Sequence, residues 1–220
     1  MTIRDLIIWL TCAAAYLALT RATTPTSLSL LPAWLPALYS AYFGLAGACL
    51  ARVLAIRFAR RKERSQATCI EPGLLLGSSV AILLIADLVP LLCAICSTSL
   101  TPRMETLLTC IPAVVFATAS FAGRGARNWR SLFLLLCGLE LLRLSGLMRS
   151  LLWGNSPSTT IQTLLFGYYP FIRATLALGW ISFELSQDRI SRTIRNVWHY
   201  LGLAVGVIWL MLPVLLNHRS

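Results

Sequence analysis

Seven long apolar stretches occupy most of this 220-residue chain. Charged residues make up only 12% of the sequence, about half of their share in a soluble globular domain. The stretches show almost no polar alternation, and helices that are apolar on all sides are typical of lipid surroundings. The sequence therefore predicts an all-α fold, a polytopic transmembrane helical bundle of about seven spans that forms one integral-membrane domain over residues 1–220. The predicted spans are 3–20, 35–56, 73–96, 107–122, 132–152, 161–185 and 197–216.

Basic residues are distributed unevenly between the connections of these spans. Twelve lie at the start of span one or in every second connection, which share one side of the membrane if there are seven spans, and four lie on the opposite side. Basic residues accumulate in cytoplasmic loops. The asymmetry therefore predicts a cytoplasmic N-terminus and an external C-terminus, and we expect the cell membrane, plasma or inner, as the location.

Two basic clusters are expected to contact anionic lipid headgroups on the cytoplasmic side. One follows span two, and the other precedes span seven, where arginines recur at every third position opposite apolar residues. Their members are Arg57, Arg60, Arg61, Lys62, Arg64, Arg189, Arg192 and Arg195. A net charge of +11 would indicate nucleic-acid binding in a soluble chain. Because the charges here lie between apolar spans, the lipid bilayer is the expected partner and nucleic acid is not.

Four charged residues lie deep within predicted spans, namely Asp87, Glu140, Arg143 and Arg173. Both arginines are about twelve residues from a span end, which at about 1.5 Å per residue is near the middle of the bilayer. Glu140 and Arg143 are three residues apart and can pair on one helix face, and Arg173 can pair with Asp87 or Glu140 across helices. Because charges at this depth are costly, the cluster is either a polar pathway for a solute, ion or proton, or an ion-paired clamp that fixes helix packing.

Cys93 and Cys96 form a Cys-x-x-Cys pair within span three. Such a pair can cycle between dithiol and disulfide, so it is a possible redox pair; alternatively, both cysteines pack as small apolar residues. His199 and His218 are too few and too peripheral for a metal centre, and His199 is expected to be an interface residue. No phosphate-binding loop or nucleophile motif is present, so neither a metal nor a cofactor is expected.

Small residues four positions apart occur in two spans. They are Gly44 and Ala48 in span two and Gly202 and Gly206 in span seven. This spacing permits close approach of two helices, and contact within the chain is favoured over a dimer interface.

The leading functional expectation is transport or conduction of a small solute or ion through the intramembrane charges. The alternative is a non-catalytic accessory or assembly subunit, whose partners would be other membrane protein subunits. A membrane enzyme acting on lipid, quinone or thiol is third, because the sequence shows no set of nucleophile, base and metal ligands. Transport requires the charges to line a water-accessible cavity, whereas an accessory subunit requires an apolar or grooved flank.

Overall fold

The computed structural model describes residues 3–23, 34–62, 70–96, 99–122, 127–153, 167–191 and 195–217. These ranges contain seven α-helices and no strand, so the all-α prediction is confirmed for the described part of the chain. The helices are α1 (Ile3–Thr23), α2 (Trp34–Lys62), α3 (Pro72–Ile95), α4 (Pro102–Ala122), α5 (Arg127–Trp153), α6 (Tyr169–Ile190) and α7 (Val197–Asn217). Each helix overlaps one of the predicted spans.

Four helices in the described ranges are long and apolar enough to cross a membrane. The segments that qualify by length and composition are Pro36–Phe58, Pro72–Pro90, Arg103–Ala122 and Val197–Leu215, in α2, α3, α4 and α7. Large apolar side chains are also exposed on the outside of the bundle, among them Leu107, Val114, Leu142 and Phe183. Lipid hydrocarbon would cover such side chains, which a soluble monomer rarely exposes in large patches. These features are consistent with a membrane protein.

Helices α3 and α7 pack against each other at the centre of the bundle, and α2 contacts both. The contacts α3–α4, α4–α5, α5–α6 and α6–α7 close a ring of five helices. The core inside this ring contains large buried side chains, including Phe116, Trp129, Phe133, Leu136 and Leu210. Helix α1 packs mainly against α2, at the edge of the bundle.

Glycines allow the central helices to approach closely near their first turns. A side chain at Gly202 would collide with the backbone of Gly73, and one at Gly206 would collide with Leu76. A side chain at Gly77 would lie 2.8 Å from the Cα atom of Gly202. The small-residue motif of α7 therefore makes a contact within the chain, as the sequence indicated.

The amphipathic pattern before span seven does not form one continuous helix. Helix α6 ends at Ile190, where Ser191 donates its backbone N–H to the carbonyl of Gln187 at 2.8 Å. Helix α7 begins at Val197, and the side chain of Asn196 caps it by accepting the N–H of His199 at 3.1 Å. Arg195 therefore lies between two helices.

Candidate functional site

The charged cluster is centred on Glu140 of α5. Leu132, Leu136 and Glu140 follow one another at intervals of four residues on the face of α5 that packs into the core. The Glu140 side chain is consequently buried, with 1% of the residue exposed. A carboxylate enclosed in this way must be paired, because an isolated buried charge is very costly.

Two arginines neutralise the Glu140 carboxylate. The Nε atom of Arg143 lies 3.0 Å from Oε2 of Glu140. Arg173 of α6 donates from Nη1 to Oε1 at 3.2 Å. Of the two cross-helix partners that the sequence allowed for Arg173, the structure thus pairs it with Glu140.

Aromatic rings cover the arginines. The guanidinium of Arg173 lies 4.1 Å from the ring centroid of Trp209 on α7 and 5.6 Å from that of Tyr169. Arg143 lies 5.9 Å from the same Tyr169 ring. A desolvated cation–π contact contributes about 2 kcal/mol, so the rings help to offset the cost of holding Arg173 only 8% exposed. Glu140, Arg173, Tyr169 and Trp209 form a closed unit, which we call the clamp.

Asp87 lies outside this unit. It continues the face of α3 that carries Leu76, Val80 and Leu83, all three buried in the core, yet Asp87 itself is exposed. It interacts electrostatically with Arg143, but the described residues provide it with no ion pair within 4 Å. The structure therefore brings together three of the four predicted charges and places the fourth nearby.

Burial decreases along α3 and α5 at the level of Asp87 and Arg143. Arg143 follows Glu140 by one turn on the same face of α5, and 29% of its side chain is exposed. On each helix the residue one turn earlier on the same face is buried, namely Leu83 on α3 and Glu140 on α5. Asp87 is exposed and Arg143 is partly exposed. This geometry leaves one carboxylate and one guanidinium accessible beside the clamp.

A second polar cluster joins the ends of four helices and was not predicted. Arg195 donates from Nε and Nη2 to the two carboxylate oxygens of Asp188 at 3.0 and 2.7 Å. Its Nη1 atom lies 3.5 Å from Oε2 of Glu71. Trp129 also donates its indole N–H to Asp188 at 3.3 Å. We call these residues, together with His199, the terminal cluster.

His199 occupies the interior of the terminal cluster and is completely buried. Its Nδ1 atom accepts the backbone N–H of Gly73 at 3.1 Å, which is the arrangement of a neutral imidazole with its proton on Nε2. Its ring is perpendicular to that of Trp129, with the two centroids 5.1 Å apart. His199 thus fixes the start of α7 against the starts of α3 and α5.

Charge pairing shifts the proton affinities of this cluster. Burial alone would raise the pKa of Asp188, but hydrogen bonds and charge from Arg195 and the hydrogen bond from Trp129 outweigh it, so the pKa of this carboxyl lies below its usual value. The hydrogen bond to Asp188 in turn raises the pKa of Arg195. Both groups lie outside the predicted spans, and their pairing is fully ionised at neutral pH.

The residues expected to contact headgroups occupy different surroundings. Arg57 and Arg189 are exposed, whereas Arg195 is held by the two acids of the terminal cluster. Arg60, Arg61 and Lys62 belong to the last turn of α2, but their side chains lie outside the described set. Arg64 and Arg192 are outside the described residues altogether. Headgroup contact stays a prediction for this group.

The Cys-x-x-Cys pair lies at the end of α3. Cys93 is half-buried and Cys96 is exposed, and both are present as thiols. Nothing in their geometry tests redox cycling, which stays a prediction. Among the described residues, no group of three or more His, Cys, Asp or Glu side chains could hold a metal ion.

Comparison with known proteins reveals no relative. No family model, no curated protein and no solved structure matches the chain. The geometry of the charges is therefore the main indication of function.

Proposed function

We propose that the chain is a multi-pass protein of the cell membrane that binds and transports a small solute or ion at Asp87 and Arg143. In this proposal it has about seven spans, a cytoplasmic N-terminus and an external C-terminus. Helix α3 then runs outward from Pro72, and the opening at Asp87 faces the external side. The main support for this proposal is that Asp87 is exposed on a helix face whose other residues are buried.

The cost of an intramembrane charge limits what can surround Asp87. A carboxylate in contact with hydrocarbon costs at least about 2.5 kcal/mol, so such groups face water, an opposite charge or a partner protein. The face that carries Asp87 is directed into the bundle, which supports a water-filled opening. Because the clamp occupies Glu140 and Arg173, the groups available to a solute are the Asp87 carboxylate and the free part of the Arg143 guanidinium.

An accessory or assembly subunit is the second candidate. It is favoured by the exposed apolar side chains on α4, α5 and α6, including Leu107, Val114, Leu142 and Phe183. In that case a helix of another membrane protein subunit would cover one of these faces, and a polar segment of that partner would have to reach Asp87. The two functions differ in what meets the carboxylate: water and a solute, or a partner protein.

Thermal unfolding of the purified protein with charged solutes distinguishes these functions. A panel of small cations, anions and zwitterions is added to the wild type and to the Asp87→Asn and Arg143→Gln variants in detergent. For transport, one solute class raises the Tm of the wild type, neither variant responds to it, and vesicles containing the wild type accumulate it. If no solute raises the Tm and a second membrane protein co-purifies with the wild type but not with Asp87→Asn, the accessory function replaces transport.

A further inference from the structure

Asp87 and Arg143 lie at the same height in the bundle. Gly73 on α3 and Trp129 on α5 both contact His199, so these two positions mark a common level at the terminal cluster. Asp87 follows Gly73 by fourteen residues, and Arg143 follows Trp129 by fourteen. At about 1.5 Å per residue, both charged side chains are therefore attached about 21 Å beyond that level.

The two charged groups are held apart rather than paired. Helix α4 packs against both α3 and α5 and separates them in the ring. The Asp87 carboxylate and the Arg143 guanidinium interact electrostatically, yet they form no ion pair within 4 Å. Asp87 also interacts electrostatically with Tyr42 of α2, so its carboxylate is near polar groups of two other helices. Two opposite charges that do not contact each other can each bind a group of the opposite sign.

Each residue keeps atoms that can bind such a group. The Nε atom of Arg143 is enclosed beside Glu140, while 29% of the Arg143 side chain is exposed. The exposed part therefore lies elsewhere on the side chain, whose two Nη atoms form part of the fork that binds a carboxylate. The ionised Asp87 carboxylate only accepts hydrogen bonds, which suits an ammonium group.

The four intramembrane charges sum to zero. Asp87 and Glu140 carry two negative charges, and Arg143 and Arg173 carry two positive charges. Binding of a simple cation or a simple anion would leave one uncompensated charge at this depth, where such a charge is costly. A solute with one positive and one negative group leaves the sum at zero and satisfies both accessible residues.

We propose that the solute bound between Asp87 and Arg143 is a zwitterion, an amino-acid-like molecule with an ammonium group at Asp87 and a carboxylate at Arg143. Glu140 positions the Arg143 guanidinium and does not contact the solute. The zwitterion names the class of solute for the same site and so rests on the proposed function.

Binding of matched solutes to the purified protein in detergent tests this proposal. The zwitterions are glycine, β-alanine, γ-aminobutyrate and ε-aminocaproate, which separate their two charges by increasing distances. Each is compared with its methyl ester, which keeps only the positive charge, and with its N-acetyl derivative, which keeps only the negative charge. The rise in Tm with solute concentration gives the apparent Kd. At least one zwitterion should bind about tenfold more tightly than both of its derivatives, because each derivative loses a charge-assisted hydrogen bond.

Two variants should change the preference in opposite directions. Asp87→Asn leaves one positive charge in excess and should favour the N-acetyl derivative over the zwitterion. Arg143→Gln leaves one negative charge in excess and should favour the methyl ester. Residues with only a structural role would not produce opposite preferences. Glu105→Gln is the matched control, since it removes one negative charge at an exposed position on α4, and it should keep the wild-type order.

Three results would contradict the zwitterion. If a singly charged derivative or an inorganic ion binds the wild type as tightly as any zwitterion, and Asp87→Asn or Arg143→Gln abolishes that binding, the solute class is wrong while a solute site remains. If both variants keep the wild-type order, these two residues do not bind the charged groups of the solute. If no zwitterion, derivative or ion raises the Tm, both the zwitterion and the proposed solute site are overturned.

Discussion

At the scale of single residues, the three charges of Glu140, Arg143 and Arg173 do not contribute equally. Arg173 is nearly buried and depends on the carboxylate of Glu140 and on the ring of Trp209. Arg143 contacts the same carboxylate but keeps part of its guanidinium exposed. Removing a partner is costly where the remaining charge has no access to water.

Arg173→Leu should therefore destabilise the folded protein more than Arg143→Leu. Breaking a buried pair costs roughly 3–5 kcal/mol, and partial exposure reduces that cost for Arg143. Glu140→Leu combined with Arg173→Leu should recover part of the loss, because both charges are removed together. The yield of folded protein in detergent and its Tm measure how strongly each variant is destabilised. Arg189→Leu, at an exposed position, is the control. Equal losses for the two single arginine variants would contradict the difference in burial.

The Asp188–Arg195 pair makes stability depend on pH in a defined direction. The folded-state pKa of Asp188 lies below its unfolded value of about 3.9, so its contribution is present above that pH and is lost as the pH falls through the folded-state pKa. The Tm difference between the wild type and Asp188→Asn should be largest at neutral pH and shrink on acidification below about pH 4. Glu105→Gln, at an exposed position, is the matched control and should show little pH-dependent difference. A Tm difference that stays constant from pH 7 into the acid range would mean that the pair adds no stability.

At the scale of the helices, the apolar runs predict where the elements lie but not which elements touch. The runs are long enough that each predicted span overlaps a helix. The choice of Glu140 over Asp87 as the partner of Arg173 depends on which helices are adjacent, and spacing along one helix carries no such information. The terminal cluster was missed for the same reason. Glu71 immediately precedes α3 and Asp188 lies in α6, and only the approach of α3, α6 and α7 unites them with Arg195.

The stability of the bundle should be most sensitive to a small substitution at the contact between α3 and α7. Gly202→Ala places a Cβ atom against the backbone of Gly73 and should lower the Tm strongly, because backbone cannot move aside as a side chain can. Gly138→Ala on α5 is the matched control, since a Cβ there meets nothing within 4 Å. It should be neutral or stabilise by about 0.5–1 kcal/mol, as alanine does over glycine within a helix. Similar effects of the two substitutions would argue against close packing of α3 and α7.

At the scale of the whole molecule, two polar regions bracket an apolar core. The terminal cluster closes one end of the bundle, and the clamp with Asp87 and Arg143 lies towards the other. Positive charge outside the spans is concentrated on the side of the terminal cluster. In the proposed orientation, the positive-inside rule would put that cluster at the cytoplasmic surface and Asp87 on the external side.

The orientation is tested by labelling single cysteines introduced into a variant without the seven native ones. A cysteine at Gln66 should be protected from a membrane-impermeant reagent added outside, and one at Asn217 should react. Disruption of the membrane should expose Gln66→Cys, which serves as the control for reactivity. Reaction of both positions from the same side would show that the number of spans differs from seven by one.

The access of water to Asp87 decides whether this carboxylate belongs to a solute site. In the same background, the measurement is the rate at which external impermeant maleimide reacts with Asp87→Cys, Ile85→Cys and Val80→Cys in intact membranes. Ile85 is similarly exposed but lines an apolar crevice with α1 and α2, and Val80 is buried on the face of Asp87. An external aqueous opening predicts rapid reaction of Asp87→Cys and protection of the other two. Protection of Asp87→Cys, or equal reaction at Asp87→Cys and Ile85→Cys, would contradict a solute site at this carboxylate.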